Sequence, residues 1–379
     1  MRLLRPLPIA WRLLIDKPSR FVLSGMAVAF SVVIMFMELG FFNGSNDSTA
    51  NLPPYFDCDL ILSHAEKIHL KSGEEFPFEW IIRARSAAGV AAVVPLYSGA
   101  DYWWNPQDGS RNRALILGLD LDDPMFATTV MRLHRTALQK PGAVIYDRLS
   151  RHELGDITVG TVTTLGAMTV EVVGLFELGP NFAYEGNLLT SADTFHGIHQ
   201  QSLEVVDLGL IRVEPGAEVE AVRAALMARL PPTALLLTPA EIHQREIRYS
   251  TRSSPAGIVF GIGLIVGFAI GVIICYQILF NEVNDNLPQF ATLKAMGHTP
   301  GFISGIVMHE ALLMALIGYI PGALIGGVLY QVLEHTTQIR MFLTPGRLLL
   351  IFILTSGMCL LAGRLAIRKV HQTDPADLF

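Results

Sequence analysis

The chain has 379 residues, 51% apolar and only 16% charged, with a mean hydropathy of +0.42 and a net charge of −6. Soluble domains carry roughly 25% charged residues, so this composition excludes a disordered chain and a disulfide scaffold and argues against an ordinary soluble enzyme. The charge is unevenly spread: residues 1–20 carry +4, residues 43–255 hold 17 basic and 26 acidic residues for a net of −9, and the remainder sums to −1.

Residues 1–20, with Arg2, Arg5, Arg12, Lys17 and Arg20, read as a cytoplasmic N-terminal segment under the positive-inside rule. A span needs about 20 apolar residues, and residues 21–42 supply the first, broken only by Ser24, Ser31 and Glu38. Its apolar run exceeds the roughly 7–15 residues of a signal peptide, so it reads as an uncleaved anchor, although Ser48-Thr49-Ala50 is a passable cleavage pattern. Glu38 lies near the outer end of this span. It either reaches the interface or faces a polar path in the bundle, since lipid exposure of a carboxylate is costly. Met26, Met35 and Met37 read as plastic filler, with contact to an apolar cofactor such as haem as the alternative.

Residues 43–255 read as a mixed α/β extracytoplasmic domain. Asp59–Leu62 and Arg113–Leu119 are predicted strands, and Phe78–Ala88 a helix. Ile157–Val159 and Met168–Leu175 flank a Leu165-Gly166-Ala167 turn, which predicts a hairpin. Leu208–Val213, Ala217–Leu230 and Ala234–Leu237 read β-α-β, and Pro239 starts a polar stalk helix. Trp103-Trp104 with Tyr97 and Tyr102 form an aromatic cluster, read as domain core with an exposed docking patch as the alternative. His64, Glu66 and His69 are possible metal ligands, but no fourth partner is evident and a solvated polar patch is the simpler reading. The acidic balance, without a basic stripe, argues against nucleic acid. Of the three cysteines, only Cys58 lies in this region, so it has no internal disulfide partner.

Three further spans are predicted at 256–281, 302–333 and 348–367, separated by a cytoplasmic loop at 282–301 and a short extracytoplasmic loop at 334–347. Arg364, Arg368 and Lys369 at the end of the last span place the 368–379 tail in the cytoplasm with the N-terminus. Gly263, Gly267 and Gly271, and Gly318 and Gly322, recur at four-residue steps, the small-xxx-small spacing that lets membrane helices approach closely. Pro321 predicts a kink. Glu310, about two turns into the third span and beside His309, either packs against a neighbouring helix, serves a relay, or snorkels.

No Walker A loop, Gly-x-Ser-x-Gly elbow, Cys-x-x-Cys or His-Glu-x-x-His motif is present, so no catalytic residue, metal site or cofactor is assigned to this chain. The 282–301 loop is the most informative piece. Pro288 suits a helix's first turn, residues 288–296 can form a short helix, and Gly297 can cap it. Phe290, Leu293 and Met296 fall on one apolar face, which suits docking into a groove of a cytoplasmic partner, with rest on lipid as the alternative.

One span, a large extracytoplasmic domain and three further spans resemble the FtsX-like/MacB-type (type VII) ABC transporter permeases. Pro288-Gln-Phe-Ala-Thr-Leu-Lys-Ala-Met-Gly297 resembles their coupling helix. Leu154–Phe176, the Glu310-Ala-Leu-Leu and Gly318-Tyr-Ile-Pro-Gly322 stretches, and the Asp374-Pro-Ala-Asp377 ending fit the same family. The Trp11-Arg-Leu-Leu and Lys17-Pro-Ser-Arg20 opening and the Gln289–His298 loop bring it nearest the DevC subgroup. The resemblance implies a non-catalytic membrane subunit of the bacterial inner membrane, four transmembrane helices with a periplasmic α/β domain between the first two. It implies a second copy of the chain and a DevA/MacB-like ATPase, which holds the ATP and Mg and docks on Pro288, Gln289, Phe290, Leu293, Lys294, Met296 and Gly297. It further implies mechanotransmission through a membrane-fusion adaptor and a TolC-like outer-membrane channel, exporting an envelope lipid, glycolipid or other amphiphile. Gln289 stands where the family carries a charge, which puts a salt bridge to the ATPase in doubt. An FtsX-like regulator of an envelope hydrolase and a haem-exporting permease share the architecture.

Overall fold

The first long apolar stretch is helix α1 (Pro18–Thr49) in the computed structural model, which describes residues 10–12, 18–49, 51–70, 74–180, 183–200, 202, 204–338 and 341–372. The polar middle continues through β1 (Leu60–His64), β2 (Phe76–Pro77), α2 (Glu79–Arg85), β3 (Val90–Trp104), β4 (Arg111–Leu119), α3 (Thr128–Leu133), α4 (Arg135–Leu138) and β5 (Ala143–Asp147). It goes on with β6 (Val162–Leu165), β7 (Met168–Phe176), β8 (Gly186–Ser191), α5 (Ala192–His199), β9 (Val205–Val206), β10 (Leu208–Val213), α6 (Val219–Met227), β11 (Ala234–Leu237) and α7 (Pro239–Arg252). The remainder is helical: α8 (Pro255–Asp285), α9 (Leu287–Ala295), α10 (Pro300–Thr337) and α11 (Pro345–Gln372). The chain divides into two units, one of residues 1–43, 258–334 and 341–379, the other of 44–257 and 335–340. Much of the basic opening (1–9 and 13–17) and the 373–379 ending, with Asp374-Pro-Ala-Asp377, lie outside the described residues.

In the helical unit, α1, α8, α10 and α11 are each long and apolar enough to cross a membrane. They overrun the predicted spans. α1 continues from Asn43 to Thr49 and α8 from Glu282 to Asp285, so the loop expected at 282–301 begins later than its polarity suggests. Helical hydrogen bonding does not stop where hydrophobicity does. Pro321 is accommodated inside α10.

In the other unit nine strands form one sheet, ordered β11-β1-β10-β3-β4-β8-β5-β7-β6. Trp103 of β3 also pairs with Leu165 of β6, closing β3-β4-β8-β5-β7-β6 into a ring. β3 joins the two halves. Val90–Leu96 pairs with β10 and Leu96–Trp104 with β4. Pro95 stands at that handover, where one edge of the strand has no ladder to complete, a position that tolerates proline. Pro95 and Gly99 hide this 15-residue strand from a pattern reading.

Both faces of the sheet are covered. Leu60 and Leu62 enter one core cluster and Ile61 the other, so β1 reads as an unbroken apolar run rather than an alternation. The predicted hairpin forms, but its first strand is Val162–Leu165, not 157–159; Gly160, at φ +93°, breaks the chain between them. Gly166 adopts φ +54°, the left-handed value of the primed hairpin turns, and a Cβ there would meet Asp101 Cγ at 2.8 Å. The predicted β-α-β is split, because β1 lies between β10 and β11, antiparallel to both. Thr238 and Glu241 form a capping box that starts α7 beside Pro239.

Candidate functional site

Helix α9 is set by three local devices. Pro288 occupies its first turn, where a missing N–H costs nothing. At the other end Gly297 takes φ +89°, the Gly297 N–H donates to Lys294 O at 3.0 Å, and the His298 N–H donates to Leu293 O at 3.1 Å. Those two bonds are a Schellman cap, which returns the chain to α10. The Asn286 N–H donates to Glu282 O at 3.1 Å, carrying the hydrogen-bond ladder to the edge of α9.

The predicted apolar face of α9 is divided rather than presented whole. Phe290 is buried with Val283 of α8 and Ile303, Ile306 and Val307 of α10, and Leu293 packs on the same cluster. Met296 is 65% exposed, and Pro288, Gln289, Lys294 and Gly297 are exposed with it. Phe290 therefore anchors α9 to the helices on either side of it, so of the predicted coupling residues it is the one most buried in the packing of this chain. Geometry decides this: α8 and α10 converge at the ends of a nine-residue helix and take its largest apolar side chain into the gap.

The glycine steps mark two packing seams on α1. Val28, Val32 and Phe36 sit on Gly318, Gly322 and Gly326 of α10, and a Cβ at Gly322 would lie 2.7 Å from Val32 Cβ and 3.0 Å from Ala29 O. On α8, Gly263, Gly267 and Gly271 meet Glu38, Ile34 and Ser31, with Met358 of α11 also against Gly271. Tyr330 Oη donates to Phe36 O at 2.5 Å, closing the far end of the α1–α10 seam.

The Glu38 carboxylate lies directly against the Gly263 backbone, half-buried. Glu310 is fully buried beside the Glu282 carboxyl, so it packs inside the bundle and does not snorkel. Sequence reading missed Glu282 as its neighbour, since nothing in a linear pattern pairs α8 with α10 there. The Cys275 and Cys359 sulfurs approach to 3.5 Å between α8 and α11. Met35 is buried while Met26 is 64% exposed, so the methionines of α1 do not converge.

In the α/β unit, buried polar groups are held in place. Lys67 Nζ lies 2.6 Å from Asp207 Oδ1, Ser98 Oγ donates to Asp207 Oδ2, and burial pushes the Asp207 carboxyl up to about 6. Asp147 accepts from the Leu149, Leu178 and Gly179 N–H groups and from Asn187 Nδ2, yet burial still raises its carboxyl above the ordinary range. Burial lifts the Cys58 thiol to about 12, which keeps it an unreactive thiol. The His64 ring stacks on Trp80 and the His69 ring packs on Tyr249, so the two imidazoles serve different aromatic contacts. Among the described residues no three His, Cys, Asp or Glu side chains gather as a metal site. The aromatic cluster separates by face: Trp103 and Tyr97 are buried, and Tyr102 and Trp104 are exposed.

Two solved structures resemble the fold in part. The extracellular domain of the noncanonic ABC-type transporter YknZ from Gram-positive bacteria superposes with a TM-score of 0.34 at 11% identity, over 47% of this chain and 99% of that one. The periplasmic region of MacB from Actinobacillus actinomycetemcomitans gives 0.35 at 8% identity, over 51% of this chain and 93% of that one. Superpositions this loose carry no argument about function. No curated protein matches the chain. Residues 257–375, however, match the FtsX-like permease C-terminal family, a segment that takes in the three C-terminal apolar helices and the short helix between the first two.

Proposed function

We propose that the chain is the membrane subunit of an ABC exporter that works by mechanotransmission. The observation that carries this reading is α9: a capped helix, anchored by Phe290 between two apolar helices of an FtsX-like permease domain, with Gln289, Lys294 and Met296 left exposed. Such a helix suits an ATPase partner, which supplies ATP and Mg. Closure of that partner pushes on α9, and Phe290 passes the displacement to α8 and α10 as one packed body. The chain then acts as a pair, in the DevC manner, with both termini cytoplasmic and the α/β unit on the far side of the inner membrane. Motion of that unit drives an envelope lipid, glycolipid or other amphiphile through a membrane-fusion adaptor and an outer-membrane duct.

The test is a pull-down of the tagged full chain from native membranes, read by mass spectrometry. An ATPase subunit with an adaptor is the expected result. An ATPase with an envelope hydrolase and no adaptor replaces export by the regulator reading. No ATPase from a folded preparation refutes the proposal.

A further inference from the structure

The outer face of the β3–β4 ladder carries a two-by-two arrangement of aromatic rings and guanidinium groups. Tyr102 lies directly opposite Arg113, and Trp104 opposite Arg111. Opposed residues of an antiparallel pair share a face, as do residues two apart along a strand. The four side chains therefore form one patch, while Trp103 between them turns inward and donates from Nε1 to Leu154 O at 2.9 Å. Tyr102 is 51% and Trp104 37% exposed, and both arginines are exposed. The Arg111 guanidinium lies 4.1 Å over the Trp104 ring, and that of Arg113 lies 5.4 Å from the Tyr184 ring.

The two arginines differ from five others in this acidic unit, which are ion-paired. Arg83 pairs with Glu79, Arg135 with Asp122, Arg148 with Glu177, Arg212 with Asp123 and Arg223 with Glu241. With 26 carboxylates against 17 cations in residues 43–255, acidic partners are plentiful. Yet among the described residues Arg111 and Arg113 have no carboxylate within salt-bridge distance; their guanidinium carbons lie over aromatic rings, and both residues remain exposed to solvent. A stacked guanidinium is preorganised for bidentate carboxylate binding, and exposed Trp, Tyr and Arg together are the residue types that dominate protein-binding hot spots.

We propose that Tyr102, Trp104, Arg111 and Arg113 form a docking surface for an acidic segment of a separate protein. The partner's carboxylates bind the two guanidinium edges, and its aliphatic side chains cover the two rings. The ring of strands beneath, closed through Trp103 and Leu165, gives this surface a rigid base. The charge complementarity is selective, because residues 43–255 as a whole, at a net of −9, repel acidic segments elsewhere.

The experiment uses the full-length protein in detergent and a fluorescent peptide of alternating Glu and Leu, with a Gln-Leu peptide as its uncharged counterpart, followed by fluorescence anisotropy. The Glu-Leu peptide is expected to bind, and the Gln-Leu peptide at least tenfold more weakly. Arg111→Glu with Arg113→Glu is expected to weaken Glu-Leu binding at least tenfold, about 1.4 kcal/mol. Trp104→Ala weakens it several-fold, and Arg148→Glu, whose partner is Glu177, leaves it unchanged. A melting temperature equal to wild type checks that the double variant is folded. If it is not, Arg111→Gln with Arg113→Gln gives the same reading. Equal binding of the two peptides, or undiminished Glu-Leu binding by a folded double variant, overturns the proposal. So does flotation on phosphatidylglycerol vesicles that depends on the arginine pair while peptide binding does not. No ATPase enters this assay, so its outcome is independent of the export reading.

Discussion

Phe290 lies within α9 and Met296 six residues on at its C-cap, and the structure gives them opposite tasks. Phe290 is 3% exposed against Val283, Ile303, Ile306 and Val307, so Phe290→Ala removes a packed ring from a cluster drawn from three helices. Buried Phe→Ala substitutions cost about 3–5 kcal/mol. A nine-residue helix is marginal without tertiary contacts, so much of that cost falls on α9 itself. Met296 is 65% exposed, and Met296→Asp should change stability by about 0.5 kcal/mol or less. The assay is thermal unfolding in detergent beside co-purification of the ATPase subunit. Phe290→Ala is expected to melt several degrees lower; Met296→Asp is expected to melt like wild type and lose the ATPase. An unchanged melting temperature for Phe290→Ala refutes the anchor, and normal ATPase recovery with Met296→Asp refutes the exposed face as the docking surface.

Two further outcomes follow from packing and burial. Gly318→Ile places a branched side chain against Val28 and should destabilise the helical unit by about 1–3 kcal/mol, whereas Gly357→Ala, with open space around it, should cost nothing; equal melting temperatures for the two would dissolve the α1–α10 seam. Burial raises Asp207 from 3.8 to about 6, so between those values the folded chain holds a proton that the unfolded chain lacks. The ionised carboxylate therefore destabilises the fold at pH 7, and this is relieved as pH falls from about 6 toward 3.8. Tryptophan-monitored unfolding should show a higher midpoint at pH 5 than at pH 7, with a smaller gain in Asp207→Asn; Asp147, raised in the same direction, accounts for part of what remains. An identical gain in the variant would remove Asp207 as the source.

Four apolar spans, their glycine steps, and a capped helix between Pro288 and Gly297 were all legible in the sequence, because each depends on local composition or on φ and hydrogen-bond preferences within a few residues. β1, β10 and β11 were legible as strands for the same reason. What the sequence could not decide was which faces meet. Three-residue spacing put Phe290, Leu293 and Met296 on one stripe, but only the convergence of α8 and α10 determined that Phe290 is buried and Met296 is not. Adjacency in the sequence grouped Trp103 and Trp104 in one aromatic cluster; only the strand and its closure onto β6 made Trp103 core and left Trp104 exposed. Glu282 beside Glu310, and Arg111 over Trp104, are likewise contacts between distant or cross-strand residues. Periodicity places a side chain on its own helix or strand, and only tertiary packing supplies the surface against which it is buried or left free to bind.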